Sequence, residues 1–356
     1  MQSNHLQGAE TAVRTRAPVR LDFAGGTTDL PAFATREPGA VINVAIARYA
    51  YATARPVAFA GVHLRSQDLD EYVQADSVWE LEFDGQLDLV KAAVQEMGLE
   101  GGFEVSVRCD APRGSGLGAS ASVGVALVSV LEALSAAARP TSGPRLSRFD
   151  IAELACRLER RLGVVGGKQD QYAAALGGLN YMEFLGDVVR VEPLVLSTEL
   201  RCELEKHLVL CYTGESRLSG ETNQRMIAAY EAGEERVVAG LRRIRDIAGD
   251  IYRSLLAEDL GCLADLLNEE WACRETLAEG IVTPAMIRLR QAARESGALA
   301  AKICGAGGGG CLLLYSAPDR ESDIRRALLA AGGEPLDFVF DSTGLQRWTC
   351  LAHRHV

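Results

Sequence analysis

A mixed α+β fold in two parts is predicted by three observations. First, residues 103–134 run from an alternating segment, Phe103-Glu104-Val105-Ser106-Val107, through a glycine loop into a long apolar-rich segment. That order is strand, loop, helix. Second, strand-like material dominates up to about residue 84, whereas residues 220–296 turn helical, with amphipathic stretches rich in Arg, Glu, Leu and Ala. Third, the chain has 356 residues and 48% hydrophobic residues, enough for a sizeable core. At roughly 100–200 residues per domain this gives two domains or one large one. The boundary falls near 192–206, dividing the chain into 13–195 and 205–352.

In chain order, residues 1–12 read as a disordered tail. Val19–Phe23, Ala40–Ala47, Tyr49–Arg55 and His63–Ser66 alternate as strands, and Asp88–Met97 has helical spacing. The strand at 103–109 and a helix at 119–137 follow, then a loop at 138–149 holding two Pro and one Gly. Asp150 reads as the N-cap of a helix Ile151–Leu162, with Glu153 completing a capping box. Gly163 to Gly167 break that helix, and a short one, Gln169–Leu176, ends at Gly177-Gly178. Leu179–Phe184 and Val188–Val191 form a hairpin across Gly186-Asp187. Leu208–Tyr212 is a buried strand, and Ala300–Cys304 and Cys311–Tyr315 flank a third glycine loop. A helix at 319–332 and strands at 337–341 and 346–351 close the chain.

The loop Pro112-Arg113-Gly114-Ser115-Gly116-Leu117-Gly118-Ala119-Ser120 carries the most chemistry. Three glycines without side chains let backbone N–H groups approach an anion. The first amides of the next helix lack intrahelical partners and favour phosphate. Ser120 and Ser122 add hydroxyls. The other reading is a structural turn between strand and helix. No Gly-Lys-Ser/Thr follows, so this is not a Walker A loop. Gly114, Gly116 and Ala119 fit Gly-x-Gly-x-x-Ala, but the next acid, Glu132, lies inside the helix, where a dinucleotide site has no use for it.

Three further stretches share this character. Ala17 to Leu30 runs from a strand into Gly25-Gly26-Thr27-Thr28-Asp29, which is either a local turn or a polar site. Residues 305–310 hold five glycines in six positions, costly in backbone entropy unless a ligand or another backbone comes close. In Gly163 to Gln171, Asp170 is either an acid in a first helical turn or a carboxylate poised to accept a hydroxyl proton, with Lys168 nearby to hold charge.

The bulk properties exclude other classes. There are 37 Lys and Arg against 48 Asp and Glu, a net charge of −11. No nucleic acid or anionic membrane partner is expected of such a chain. Nine scattered cysteines without a Cys-x-x-Cys pair suit free thiols in a reducing, cytoplasmic setting. The first ten residues lack the apolar run of a secretory signal, and no stretch is expected to reach the ~18–20 apolar residues of a membrane span. The five histidines show no zinc-ligand spacing.

Taken in order, the four elements resemble the GHMP kinases, the small-molecule kinase family that includes galactokinase, homoserine kinase, mevalonate kinase and phosphomevalonate kinase. The resemblance spans about residues 14–351. Its most specific parts are Pro-x-x-x-Gly-Leu-Gly-x-Ser-Ala at 112–121 and the glycine-rich motif at 302–311. Phe23–Asp29, Gly166–Tyr172 and Tyr212–Arg217 look most like the D-glycero-D-manno-heptose 7-phosphate kinase branch. The resemblance implies an N-terminal half related to the second domain of ribosomal protein S5, a ferredoxin-like C-terminal half, and a cleft between them.

It also implies roles. The loop 112–120 would wrap the phosphates of ATP. Ser120 and Glu159 would hold Mg²⁺, although Glu159 also fits a solvated helix position. Asp170 would take the proton of the attacking hydroxyl, with Arg20 and Lys168 as nearby cations. Gly25, Gly26, Thr28, Asp29, Gly307 and Gly308 would line the sugar side. Lys168, Arg48 and above all Arg217 are candidates for a phosphate already on the substrate; each also reads as a surface cation. Two departures matter. Ala119 stands where many relatives place the first of two serines, and the galactokinase-type Gly-Glu-His-Thr-Asp-Tyr is here Gly-Gly-Thr-Thr-Asp-Leu. The activity implied is γ-phosphoryl transfer from ATP to a sugar hydroxyl, first the anomeric hydroxyl of a heptose 7-phosphate, by a monomer or homodimer. The alternatives are a kinase of an unphosphorylated sugar such as fucose or galactose, and a regulator that binds sugar and nucleotide without turnover.

Overall fold

The computed structural model describes residues 11–138, 145–216 and 219–351. Its first half begins with two long antiparallel strands, β1 (Thr11–Ala24) and β2 (Gly39–Pro56), with the short helix α1 (Pro31–Ala34) between them. The two strands expected at 40–47 and 49–55 are thus one strand, interrupted by a register shift opposite Pro18/Val19. β3 (Val62–Ser66), β4 (Glu71–Ala75), α2 (Asp88–Met97), β5 (Phe103–Cys109) and α3 (Ala119–Ala138) follow. Then come α4 (Arg148–Arg161), α5 (Gln169–Leu176) and the hairpin β6 (Leu179–Leu185) and β7 (Val188–Leu194).

The second half holds α6 (Thr198–His207), β8 (Leu208–Tyr212), α7 (Ser219–Glu231), α8 (Glu235–Leu256), α9 (Leu263–Arg274) and α10 (Pro284–Glu295). β9 (Ala298–Ile303), β10 (Cys311–Ser316), α11 (Glu321–Ala330), β11 (Glu334–Leu336) and β12 (Gln346–Leu351) complete it. Its sheet runs β11-β8-β10-β9, all antiparallel. β12 does not join that sheet. It pairs with β1 and so becomes an outer strand of the eight-stranded sheet, in the order β12-β1-β2-β5-β3-β4 with β6 and β7 attached through β2. The expected C-terminal unit, 205–352, therefore gives its last strand to the N-terminal sheet.

Period-two side-chain alternation explains why these strands read as unbroken apolar runs. On β8 and β10, Leu208, Leu210 and Leu313 enter a core shared with Val19, Leu21 and Phe23 of β1 and with Ile247 and Ile251 of α8. Val209, Leu312 and Leu314 face the opposite way, against Val237, Leu241, Met286 and Ile324. A third cluster packs α2, α3, α4 and α5 on the large sheet. α3 is long and apolar enough to cross a membrane by composition, contrary to the sequence expectation. Here Val125, Leu127, Val130 and Leu131 are fully buried core residues.

Other expectations need correction. α4 starts earlier than expected: Ser147 is its N-cap and Asp150 sits at N3, the two closing a reciprocal capping box. No strand forms at 337–341. The Asp341 carboxylate takes the amides of Thr343 and Gly344, and the backbone there docks on the irregular stretch of β2 through Ala47 N to Val339 O and Asp341 N to Ala45 O. Of the expected tail, residues 1–10 lie outside the described residues, while Thr11 and Ala12 already belong to β1.

Candidate active site

A cleft of about 640 Å³ opens where the two halves meet. Its floor is the loop before α3. Gly114, Gly116 and Gly118 all have positive φ, between 67° and 77°, which a side chain would disfavour. Arg113, Gly114, Ser115, Gly116, Gly118, Ala119 and Ser120 line the cleft. Leu117 does not; it is buried in the shared core, and its carbonyl accepts from Arg20 N (3.0 Å). Pro112 is likewise absent from the lining, its carbonyl closing a turn with Ser115 N.

The glycine loop at 305–310 supports this floor by backbone contact. Cys311 N donates to Ser115 O (2.8 Å), and a Cβ at Gly116 would sit 2.0 Å from Cys304 O. Gly305 and Ala306 reach the cleft. Gly307 and Gly308, expected on the sugar side, do not: Gly308 N donates to Ile281 O (2.8 Å), so they face a turn of the helical half.

Asp170 enters on the first turn of α5, directly over the loop. A Cβ on Gly118 would lie 3.1 Å from its carboxyl. Arg20, buried on β1, holds Asp170 Oδ1 at 2.7 Å through Nη2 and donates through Nη1 to Gly116 O (2.6 Å). Burial pushes the Asp170 carboxyl up and the Arg20 charge pulls it back down, with the net direction upward. Arg20 is lowered by the same burial, but the surrounding carboxylates outweigh that and hold it charged.

Ser120 and Glu159, 39 residues apart, meet in the cleft: Ser120 Oγ donates to Glu159 Oε1 (2.8 Å). Gln171 Nε2 donates to the other oxygen (2.7 Å). Burial pushes the Glu159 carboxyl up to about 7, helped by Asp170 and opposed by those hydrogen bonds. Among the described residues no cation pairs with it, so a divalent ion there would restore its charge. A hydroxyl, a carboxylate and nucleotide oxygens are a suitable donor set for Mg²⁺, which keeps several waters.

Asp29 lines the far side of the cleft, nearly buried, and its Oδ2 accepts from Gln169 N (3.0 Å) at the start of α5. Burial pushes its carboxyl up to about 6. Gly26 and Thr27 line the cleft beside it. Gly25 and Thr28 do not. Thr28 Oγ1 donates to Gly25 O (2.7 Å) and accepts from Ala40 N (3.1 Å), so both hold the turn itself.

Two cations are corrected. Lys168 Nζ donates to Glu153 Oε1 (2.9 Å), Glu153 Oε2 (3.2 Å) and Asp187 O (3.0 Å), and it tethers α5 to α4 and the β6–β7 turn rather than entering the cleft. Arg48 donates to Asp337 O and Asp110 O, away from the cleft. Arg217 lies outside the described residues.

Sequence reasoning missed one wall entirely. Ser66 to Glu71, Gly85 to Val90 and Val107 to Cys109 bring Leu69, Leu87, Leu89 and Val107 to the end of the cleft beyond Arg113. Such apolar residues cannot be told from core by pattern alone. Asn223 and Gln224 of α7 also line the cleft, Asn223 donating to Val165 O (3.1 Å); only their place a few positions after the Tyr212–Arg217 motif in sequence could have pointed to them.

Family models match both halves: residues 87–178 match the GHMP kinases N terminal domain, and 251–334 the GHMP kinases C terminal region. A D-glycero-alpha-D-manno-heptose 7-phosphate kinase of Campylobacter jejuni is 31% identical over 94% of this chain and 98% of that protein. The chain belongs to the GHMP kinase family. A mevalonate kinase of Pyrococcus horikoshii is 31% identical over 72% of each chain. The solved structure of a D-glycero-D-manno-heptose 1-phosphate kinase from Bacteroides thetaiotaomicron superposes with a TM-score of 0.76, at 31% identity over 94% of this chain and 98% of that one. The two-domain α+β architecture expected from sequence is the architecture of this GHMP kinase.

Proposed function

We propose that this chain transfers the γ-phosphoryl group of ATP to a hydroxyl of a heptose phosphate, with the anomeric hydroxyl of the 7-phosphate as the first acceptor. One observation carries the reading: the Asp170 carboxylate, held by Arg20, sits against the glycine loop at Gly118 inside one cleft. A base beside a phosphate cradle is what phosphoryl transfer needs, since positioning and charge stabilisation dominate that chemistry. The names of the relatives matched over nearly the whole chain support the heptose phosphate.

The residues divide the work. Amides of 113–120 and the N-terminus of α3 would hold the triphosphate. Leu69, Leu87, Leu89 and Val107 offer the apolar slot for the base. Asp170 accepts the proton of the acceptor hydroxyl as the new O–P bond forms and the β,γ-bridge bond of ATP breaks, releasing ADP. Arg20 fixes Asp170 and sets positive charge beside the transferred group. Asp29 accepts from sugar hydroxyls. Ser120 and Glu159 would hold Mg²⁺, which neutralises phosphate charge when bound. Among the described residues the cleft's cations are Arg20, Arg108 and Arg113. Two of them are already paired, with Asp170 and Asp110. Arg217 therefore stays the candidate for the acceptor's own phosphate, and Asn223 and Gln224 line the cleft with uncharged donors.

The test is a panel of acceptors read by ADP release: heptose 7-phosphate, heptose 1-phosphate, free heptose, galactose, fucose and mevalonate. Turnover of a heptose phosphate with the highest kcat/KM is expected. Preference for an unphosphorylated sugar would overturn the substrate assignment. Nucleotide binding without transfer to any acceptor would overturn the reading as an enzyme.

A further inference from the structure

Behind the acceptor side of the cleft lie four charged side chains that the reaction does not use directly. Asp22 on β1, Glu270 and Arg274 on α9, and Lys302 on β9 are all essentially without solvent exposure. Burying four charges is costly unless each is paired. The pairing here is directional. Glu270 Oε1 takes Arg274 Nε (2.7 Å) and Nη2 (2.6 Å), fixing the guanidinium plane. Lys302 Nζ lies 3.5 Å from Glu270 Oε2 and 3.7 Å from Asp22 Oδ2, and donates to Asp22 O (2.8 Å).

Arg274 also donates to the acceptor loop. Nη2 donates to Gly26 O (2.9 Å) and Nη1 to Thr27 Oγ1 (3.2 Å). Thr27 has φ +82°, a conformation that a β-branched residue adopts only under constraint. Gly26 and Thr27 both line the cleft beside Asp29. A strained residue at the rim of a binding site, clamped by an arginine reaching from the other half of the molecule, is an arrangement with a purpose.

We infer that Arg274, oriented by Glu270, is a positioning residue that holds the acceptor loop at Gly26-Thr27 in its strained, binding-competent form. This rests on the reading of that side of the cleft as the acceptor site. Strain at Thr27 persists only while the surroundings over-determine it; beside the turn's own hydrogen bonds at Thr28 and Leu30, Arg274 supplies two that reach it from the other half. Without them Thr27 relaxes toward negative φ, and the adjoining Asp29 loses its place.

The experiment uses full-length protein and two readouts. Hydrogen exchange without substrate reports the loop through the amides of Thr28 and Leu30, which bond to Gly25 O and Thr27 O. Arg274→Met should speed exchange at those two at least tenfold, leaving amides in the middle of α3 unchanged. Steady-state kinetics should show the acceptor KM raised at least tenfold with the ATP KM within twofold. Adding Thr27→Gly to Arg274→Met should slow that exchange again, because glycine holds φ near +82° unforced. If Arg274→Met does not fold, Arg274→Lys carries the same test, with a smaller change of the same pattern. Unchanged exchange at Thr28 and Leu30, equal rises in both KM values, or no recovery on adding Thr27→Gly overturns the inference. If the wild type turns over no acceptor, the functional reading falls by itself and the exchange arm still decides the role of Arg274.

Discussion

Asp170 must give up a proton to work, and its surroundings pull on it in opposite directions. Burial favours the neutral acid, whereas Arg20 at 2.7 Å favours the carboxylate. Asp170→Asn removes the acceptor for the hydroxyl proton but keeps the shape, so kcat should fall by roughly 10²–10⁴ with the ATP KM unchanged. Lys168→Met, by contrast, should lower stability and leave kcat intact, because its ammonium serves Glu153. Kinetics of both variants check the pair; a large kcat loss in Lys168→Met would return Lys168 to the site. Glu159 makes a second prediction. Its carboxyl titrates near pH 7 in the folded chain against 4.5 unperturbed, so the folded state binds the proton more tightly. Stability is then fully present below about pH 4.5 and is lost as pH rises to about 7, by roughly 3 kcal/mol. Glu159→Gln should therefore melt higher than wild type at pH 8 without ligands, equal it near pH 4.5, and lose activity. Melting curves at the two pH values decide it. Asp170 and Ser120 stood out as candidates because each sits in or beside a glycine motif, and Glu159 only through the family resemblance; all three line the cleft. Lys168 was misread for the same reason: adjacency in sequence says nothing of where a side chain at a helix start points.

The glycine loops at 114–118 and 305–310 work as stacked backbone, one against the other. Both were visible as composition, and the helix after 118 was visible as its apolar run. Their mutual contact was not, since residues 115 and 311 are joined only by tertiary hydrogen bonding. The apolar slot formed by β3, β4, the start of α2 and β5 was also invisible, because Leu69, Leu87 and Leu89 have the same chemistry as any core leucine. Gly116 joins these facts. Its φ is +72°, and the Cys304 carbonyl fills the space where a side chain would go. Gly116→Ala must push the 305–310 loop away from the phosphate loop and distort the carbonyl that receives Arg20 Nη1. The expected result is an ATP KM raised at least tenfold and a lower kcat, with α2 and β5 undisturbed by hydrogen exchange. Wild-type ATP affinity in that variant would show that the two loops are not coupled.

At the scale of the molecule, the cleft depends on both halves, and the chain binds them together by returning at its end. β12 pairs along β1 from Thr11↔Leu351 to Arg16↔Gln346, across some of the longest sequence separations in the fold. Alternation at 346–351 showed a strand, but nothing local could say which sheet it joins, and proximity in sequence pointed to the wrong one. Side chains reinforce the pairing: Arg16 Nε donates to Gln346 Oε1 (2.6 Å), and Arg347 pairs with Glu132 of α3. β1 continues from this paired segment to Arg20, Asp22 and the acceptor loop, so its register there reaches the site. A chain ending at Leu345 would keep every residue of the cleft yet leave the β1 backbone open at its outer edge. An exposed edge of this kind both loses its hydrogen bonds and invites pairing with another chain. The truncated protein should melt at least about 5 °C lower and form higher-order species on size exclusion, with kcat of the surviving monomer reduced only modestly. Melting and elution indistinguishable from wild type would mean that the large sheet holds its register without its last strand.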